Sequence, residues 1–265
     1  MKFKDNFLNS YLNEGTIPLA FERAFECELM SSQEYTRPIL DIGCGDGIFA
    51  QIVFDEKIDT GLDPLAYELD SAREFNMYEE LIEAYADKIP KPDGYYNTIF
   101  SNSVLEHIPD LKDVLIEANR VLADGGKFYI TIPTIYFDQY SVVYQILSFL
   151  SLKGVAKSYQ KFFNKFWNHH HYYSRENWIK LFEETGYKVD NVIEYGLKKD
   201  CLLNDFLAPF SLPNYIVKKL FNRWFLSNSL RKAYSPILGS MLKGRVKFHE
   251  DLRDGGLIFF ALTKG

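Results

Sequence analysis

The sequence predicts an α/β protein built on a doubly wound, mostly parallel sheet of seven strands and extended by two helical insertions. Three observations predict it. Short apolar runs that read as strands alternate with amphipathic stretches of helix length, the order that crossover connections impose on a parallel sheet. The first such unit, ILDIGCGDGIFA at 39–50, passes from an apolar strand through Gly43, Gly45 and Gly47 into a helix. The second strand-like run ends in an acid, Asp63, 18 residues beyond Gly45, where doubly wound folds meet a ribose.

Taken in order, residues 1–38 read as one or two helices ahead of the sheet. Leu19, Ala20, Ala24, Phe25 and Leu29 give them an apolar face, interrupted by Glu22, Arg23, Glu26 and Glu28. Either a cap over a pocket or plain packing on the sheet accounts for such a face. Strand-like runs follow at 39–42, 58–62, 81–86, 97–101 and 127–132, with helices expected at 48–54, 65–75 and 111–122. Asp124-Gly125-Gly126 supplies the stop for the last of these. Ser174 opens a further helix whose first turn carries Glu176, a charge that suits the helix dipole. The runs 189–195 and 257–263 bring the strand count to seven.

The glycine turn narrows the ligand. Glycines allow backbone conformations closed to other residues and let a ligand touch the main chain at a helix N-terminus. A nicotinamide dinucleotide fingerprint spaces them Gly-x-Gly-x-x-Gly, whereas this chain has Gly-x-Gly-x-Gly. Asp41 stands two residues before the first glycine, and a buried negative charge suits a cationic ligand better than a pyrophosphate. A nucleoside bearing a sulfonium fits both features. Asp63 supports a nucleoside of either kind, and Asp63-Pro64 also reads as an ordinary turn and helix start.

With these residues in view, the segment resembles the first motif of class I S-adenosylmethionine-dependent methyltransferases of the type 11 kind. The resemblance continues through Asp87 before Ile89-Pro90, LEHIPD at 105–110, EANRVL at 117–122, the Gly125-Gly126 strand start, and NHHHYYS at 168–174. It implies the Rossmann-like methyltransferase fold and S-adenosylmethionine as cofactor. Asp41 and the backbone of Gly43, Cys44, Gly45 and Gly47 would hold the methionine part. Asp63 would hold the ribose and Asp87 the adenine, with Asn102 bordering the cofactor through its backbone. The function implied is methyl transfer, with O-methylation of a small molecule, sugar or lipid-linked glycan the favoured reaction. An NAD-dependent oxidoreductase or a non-catalytic binding module of the same fold are the alternatives.

For a hydroxyl acceptor, histidine is the natural proton acceptor. His169 and His171 fit the family's His-x-His pattern and, if that stretch is extended, turn to one side together. His107 lies beyond the fourth strand, where a turn-packing role is favoured over a catalytic one, so His169 or His171 is expected to govern turnover more than His107 does. Glu106 reads as a helix-start or ion-pairing residue. No metal site is expected, because these histidines lack a third ligand that the sequence can nominate.

Against a minimal relative the chain has two additions, of about 35 residues before NHHHYYS and about 55 between the last two strands. The expected division is a cap at 1–38, a core at 39–136, 169–198 and 255–265, and helical insertions at 137–168 and 199–254 that form an acceptor-side lid. Both insertions are basic: no acid occurs at 139–175 or 206–249, although the whole chain carries a net charge of −6. In the first, Lys153, Lys157, Lys161 and Lys165 recur every four residues, with Val155, Tyr159, Phe162 and Phe166 along another helix face. The second repeats the theme with Ile216, Val217, Leu220, Phe221, Trp224 and Phe225 beside Lys218, Lys219 and Arg223. A lid, or attraction to an anionic acceptor or anionic membrane, follows from such a pattern. Nucleic acid is disfavoured by the acidic balance and the lack of a recognition module. Three scattered cysteines, no apolar leader and no membrane-length run lead to the expectation of a reduced, cytoplasmic protein with at most peripheral membrane contact.

Overall fold

The computed structural model describes residues 1–221, 229–249 and 251–265. Arg223, Trp224 and Phe225 of the second amphipathic segment lie outside the described residues. Seven strands form one sheet: β1 (Ile39–Ile42), β2 (Ile58–Asp63), β3 (Tyr78–Glu83), β4 (Tyr96–Asn102), β5 (Leu122–Pro133), β6 (Tyr187–Tyr195) and β7 (Leu257–Lys264). Their order is β3-β2-β1-β4-β5-β7-β6. Strands β1 to β5 pair in parallel, and β7 runs antiparallel between β5 and β6. The order reverses between β1 and β4, so the crevice for a ligand opens beyond the carboxyl ends of these two strands.

Both faces of the sheet are covered, which is why its strands read as apolar runs rather than as clean alternation. On one face lie α1 (Phe7–Glu14), α2 (Ile17–Ser31), α3 (Ile48–Val53) and α4 (Ala66–Phe75), sharing an apolar cluster with Ile39, Phe100, Tyr129 and Phe259. On the other, α5 (Leu111–Val121) presents Leu111, Val114, Leu115 and Ala118 to a cluster with Leu40, Ile42 and Ile130. The insertion after β5 supplies α6 (Val142–Phe149) and α7 (Lys153–Phe166). Helix α8 (Arg175–Glu184) then joins the α5 face, where its Trp178 and Phe182 are fully buried. The second insertion carries α9 (Lys198–Leu207), α10 (Leu212–Phe221) and α11 (Ser229–Lys243). The Ser235 hydroxyl of α11 donates to Asn13 Oδ1 in the last turn of α1, at 2.6 Å.

Strand β3 begins three residues earlier than the pattern suggests. Tyr78 is buried and pairs with Ile58, while Glu79 and Glu80 face solvent on a sheet edge that tolerates charge. Helix α7 keeps its lysine row exposed, and Ser174 caps α8 by accepting the Asn177 N–H. Among the described residues no helix is long and apolar enough to cross a membrane.

Candidate active site

The glycine turn uses its three glycines differently. All have positive φ, at +76°, +51° and +78° for Gly43, Gly45 and Gly47. A Cβ on Gly43 would lie 2.4 Å from Val104 Cγ1, and one on Gly47 would lie 3.1 Å from the Ala72 backbone. These two glycines allow close packing. A Cβ on Gly45 would meet nothing within 4 Å, so this residue faces open space at the N-terminal side of α3.

Asp63 stands against that open position. Its Oδ2 accepts the Gly45 N–H at 3.0 Å and its Oδ1 accepts the Leu65 N–H at 2.9 Å. Burial raises its pKa, and those two backbone donors oppose the shift. Each oxygen keeps a further lone pair, so the carboxylate can still accept from a vicinal diol. An open glycine cradle beside a fixed carboxylate fits the nucleoside end of S-adenosylmethionine.

Asp41 differs from its expected setting. It is closed in beneath the turn, where Oδ2 accepts a 2.7 Å hydrogen bond from the Tyr78 hydroxyl, and burial pushes its carboxyl up to about 7. The Tyr78 ring reaches it by crossing Gly61, whose absent Cβ would lie 2.8 Å from that ring. Cys44 is also buried, with its thiol raised by burial, and only its backbone is available at the turn. Asp87 is exposed on the segment after β3. The side chain of Asn102 is engaged away from the turn: Nδ2 donates to Glu26 at 2.8 Å, and Oδ1 accepts from Thr131 at 2.9 Å.

Glu26 was not singled out by the sequence, yet it gathers hydrogen bonds at the ends of β4 and β6. This fully buried carboxylate of α2 takes hydrogen bonds from Arg23 (2.5 Å), Asn102 (2.8 Å), Ser103 (2.9 Å) and Tyr195 (3.4 Å). The N-terminal helices are thereby pinned to the ends of β4 and β6. The available signal was a run of charges interrupting an apolar helix face.

Beyond β4 the chain brings Glu106, His107 and His169 together, with one ligand atom from each lying within 4.8 Å of the others. The third donor that the sequence could not nominate is therefore Glu106. His107 Nδ1 faces the Asn168 carbonyl at 3.2 Å, and its Nε2 stands 3.8 Å from Glu106 Oε1. Glu106 is 2% exposed, and among the described residues neither its Oε2 nor His169 Nδ1 has a hydrogen-bond partner. Burial pushes the Glu106 carboxyl up to about 8. Burial and the neighbouring His107 push His169 down to about 4, while burial lowers His107. Burial thus favours the neutral form of both rings.

His171 does not share this cluster. Its Nε2 faces the Ile108 and Pro109 carbonyls at 2.9 and 3.1 Å, and its Nδ1 faces the Tyr173 hydroxyl at 2.8 Å. With both nitrogens engaged, the ring holds the turn after Glu106 and offers no free base. The expected pairing of His169 with His171 gives way to a pairing of His169 with His107, at a ring separation of 5.2 Å.

The second insertion also lands elsewhere than on an acceptor-side roof alone. Lys218 of α10 lies 2.5 Å from Asp46 in the glycine turn and 3.6 Å from Glu68 of α4. It therefore reaches the cofactor side of the crevice.

Residues 20–192 match the methyltransferase-domain family, about two thirds of the chain. The chain belongs to this methyltransferase family. The methyl donor is S-adenosylmethionine, and the nicotinamide alternative is set aside. Ubiquinone biosynthesis O-methyltransferase of Yersinia enterocolitica is 32% identical over 108 residues, which cover 37% of this chain and 43% of that protein. The corresponding protein of Pectobacterium carotovorum is 34% identical over 104 residues, covering 36% and 42%. The chain thus spans about two fifths of the length of these curated relatives. Among solved structures, a possible histamine N-methyltransferase from Thermotoga maritima has a TM-score of 0.57 at 17% identity, covering 93% of this chain and 92% of that one. This last similarity establishes the fold of the methyltransferase and nothing of its acceptor.

Proposed function

We infer that the chain methylates a hydroxyl of a small-molecule or glycan acceptor, a sugar or lipid-linked glycan being the favoured class. The observation carrying this reading is that a nucleoside cradle and a neutral, oriented histidine occur at the same edge of the sheet. Gly45 and Asp63 form the cradle at the ends of β1 and β2, and His107 follows β4. The similarity to relatives named as O-methyltransferases supports oxygen as the acceptor atom.

S-adenosylmethionine, when bound, supplies an electrophilic methyl group. The backbone of Gly43 to Gly47 and the Asp63 carboxylate would hold it, with Asp41 supporting the turn from below and Asp87 on the adenine side. The chain's chemical task is then to orient the acceptor, exclude water and receive the hydroxyl proton. His107 is the proposed proton acceptor. Donation from its Nδ1–H to Asn168 leaves Nε2 as the basic atom, which faces the Glu106 carboxyl at 3.8 Å. His169 packs beside it, and His171 acts by holding the turn.

Calorimetry with S-adenosylhomocysteine and with NADH tests the cofactor assignment. Mass spectrometry of mixtures containing sugar hydroxyls or amines tests the acceptor atom. Binding of the homocysteine product and methylation of hydroxyls are expected. Binding of NADH alone, transfer only to amines, or cofactor binding with no transfer to any acceptor would each overturn the reading.

A further inference from the structure

Helix α6, VVYQILSF, is apolar along most of its length, yet none of its residues is buried. Phe149 at its end is 87% exposed, and Ile146 is more than half exposed. Helix α7 sorts its residues into three stripes. At 3.6 residues per turn, Lys153, Lys157, Lys161 and Lys165 cover about 120° of the circumference. The exposed Val155, Phe162 and Phe166 follow within a stripe of about 40°, and the buried side then runs from Phe163 and Ala156 round to Asn164, level with Lys153 and Lys157. The apolar stripe of α7 therefore exceeds what the core uses. Asp138 fixes this orientation from the buried side, accepting from Gln160 at 2.9 Å and from Asn164 at 2.6 Å.

We propose that the α6–α7 insertion is a peripheral docking face for a bilayer surface containing anionic lipids. Ile146, Phe149, Phe162 and Phe166 enter the headgroup boundary, and the four lysines beside them meet lipid phosphates. Exposed apolar area of this extent calls for a cover, and the charge beside it selects one. No acid occurs from 139 to 175. A symmetric pair of chains meeting through this face would bring one lysine row against another. An acidic protein partner would answer the lysines but leave the projecting apolar tips to be matched. A bilayer surface answers both, and none of the described helices is suited to crossing it. The exposed Trp167 at the end of α7 suits the same boundary. His169 lies two residues further on, so a lipid-borne acceptor would arrive beside the proposed proton acceptor. Docking itself does not rest on the methyl-transfer reading, because it is measured without turnover.

Sedimentation of the full chain with phosphatidylcholine vesicles, with and without phosphatidylserine, tests this face. Binding to the phosphatidylserine vesicles at low ionic strength is expected, as is its loss at about 0.5 M salt, where the screening length falls well below 10 Å. Each lysine near an anionic surface multiplies partitioning by about fivefold, so replacing all four by glutamine weakens binding by at least about a hundredfold. Replacing Ile146, Phe149, Phe162 and Phe166 by serine weakens it tenfold or more. Both variants retain the circular dichroism spectrum and S-adenosylhomocysteine affinity of the parent, since the changed side chains are exposed. No preference for phosphatidylserine, or binding indifferent to either set of substitutions, overturns the proposal. So does a dimer in sedimentation velocity that the serine variant converts to monomer, because a second copy would then be the cover.

Discussion

Gly43 and Gly45 stand two residues apart in one turn, and replacing each by alanine separates packing from ligand contact. Both have positive φ, so a Cβ costs about 1–2 kcal/mol in either place. At Gly43 the new methyl would also lie 2.4 and 2.6 Å from the two Val104 methyls. Overpacking of that kind adds about 1–3 kcal/mol. At Gly45 nothing lies within 4 Å, and no overpacking follows. In urea denaturation, Gly43→Ala should therefore be less stable than Gly45→Ala by about 1–3 kcal/mol. The order reverses for the cofactor, because the Gly45 methyl projects into the open space of the proposed cradle. Calorimetry with S-adenosylhomocysteine should show at least about a tenfold loss for Gly45→Ala, equivalent to about 1.4 kcal/mol. Folded Gly43→Ala should stay within a few-fold of the parent. Equal destabilisation by the two changes, or undiminished affinity in Gly45→Ala, would refute this assignment of the turn.

Asp63→Asn keeps an acceptor for the Leu65 N–H but removes the charge. Since hydrogen bonds to a charged group contribute about 1.5–3 kcal/mol each, S-adenosylhomocysteine affinity should fall tenfold or more without unfolding. Unchanged affinity would remove Asp63 from the site. His107→Gln should lower turnover about a hundredfold or more at saturating donor, while His171→Ala should chiefly lower the melting temperature by freeing the 108–109 carbonyls. The opposite pattern would move the proton acceptor to His171. Glu106 gives a pH test. Its folded-state value of about 8 lies above its ordinary 4.5, so the folded protein binds the extra proton. That stabilisation is complete below 4.5 and is lost as pH rises through 8, by about 1.4 kcal/mol per pH unit within the window. The parent should lose stability relative to Glu106→Gln across this range, and parallel stability curves would contradict the burial argument.

The parts legible in the sequence are those set by local pattern. Strand β1, the glycine turn and α3 carry their own instructions, because a short apolar run, positive φ and a helix start are encoded within about fifteen residues. Asp63 was legible for the same reason: its partners, Gly45 and Leu65, follow directly from the strand–turn–helix geometry. Partnerships across the chain were not. Glu26 meets Asn102 and Ser103 over 70 residues away in sequence, and α2 offers only the hint of a charge on an apolar face.

The histidines show how a local assumption fails. Period-two alternation places His169 and His171 together only in extended chain. Asn168 instead adopts φ +57°, and the N–H groups of His170 and His171 both turn onto the Glu106 carbonyl. The bend sends His171 toward Ile108 and Pro109 and leaves His169 against His107. Lys218 fails in another way. Its helical face and positive charge were readable, but the acids available to it were numerous, and only the fold selects Asp46 and Glu68. That choice couples the second insertion to the glycine turn. A basic segment that looked like an addition to the acceptor side is therefore tied, through Lys218 and Asp46, to the turn that would hold the donor.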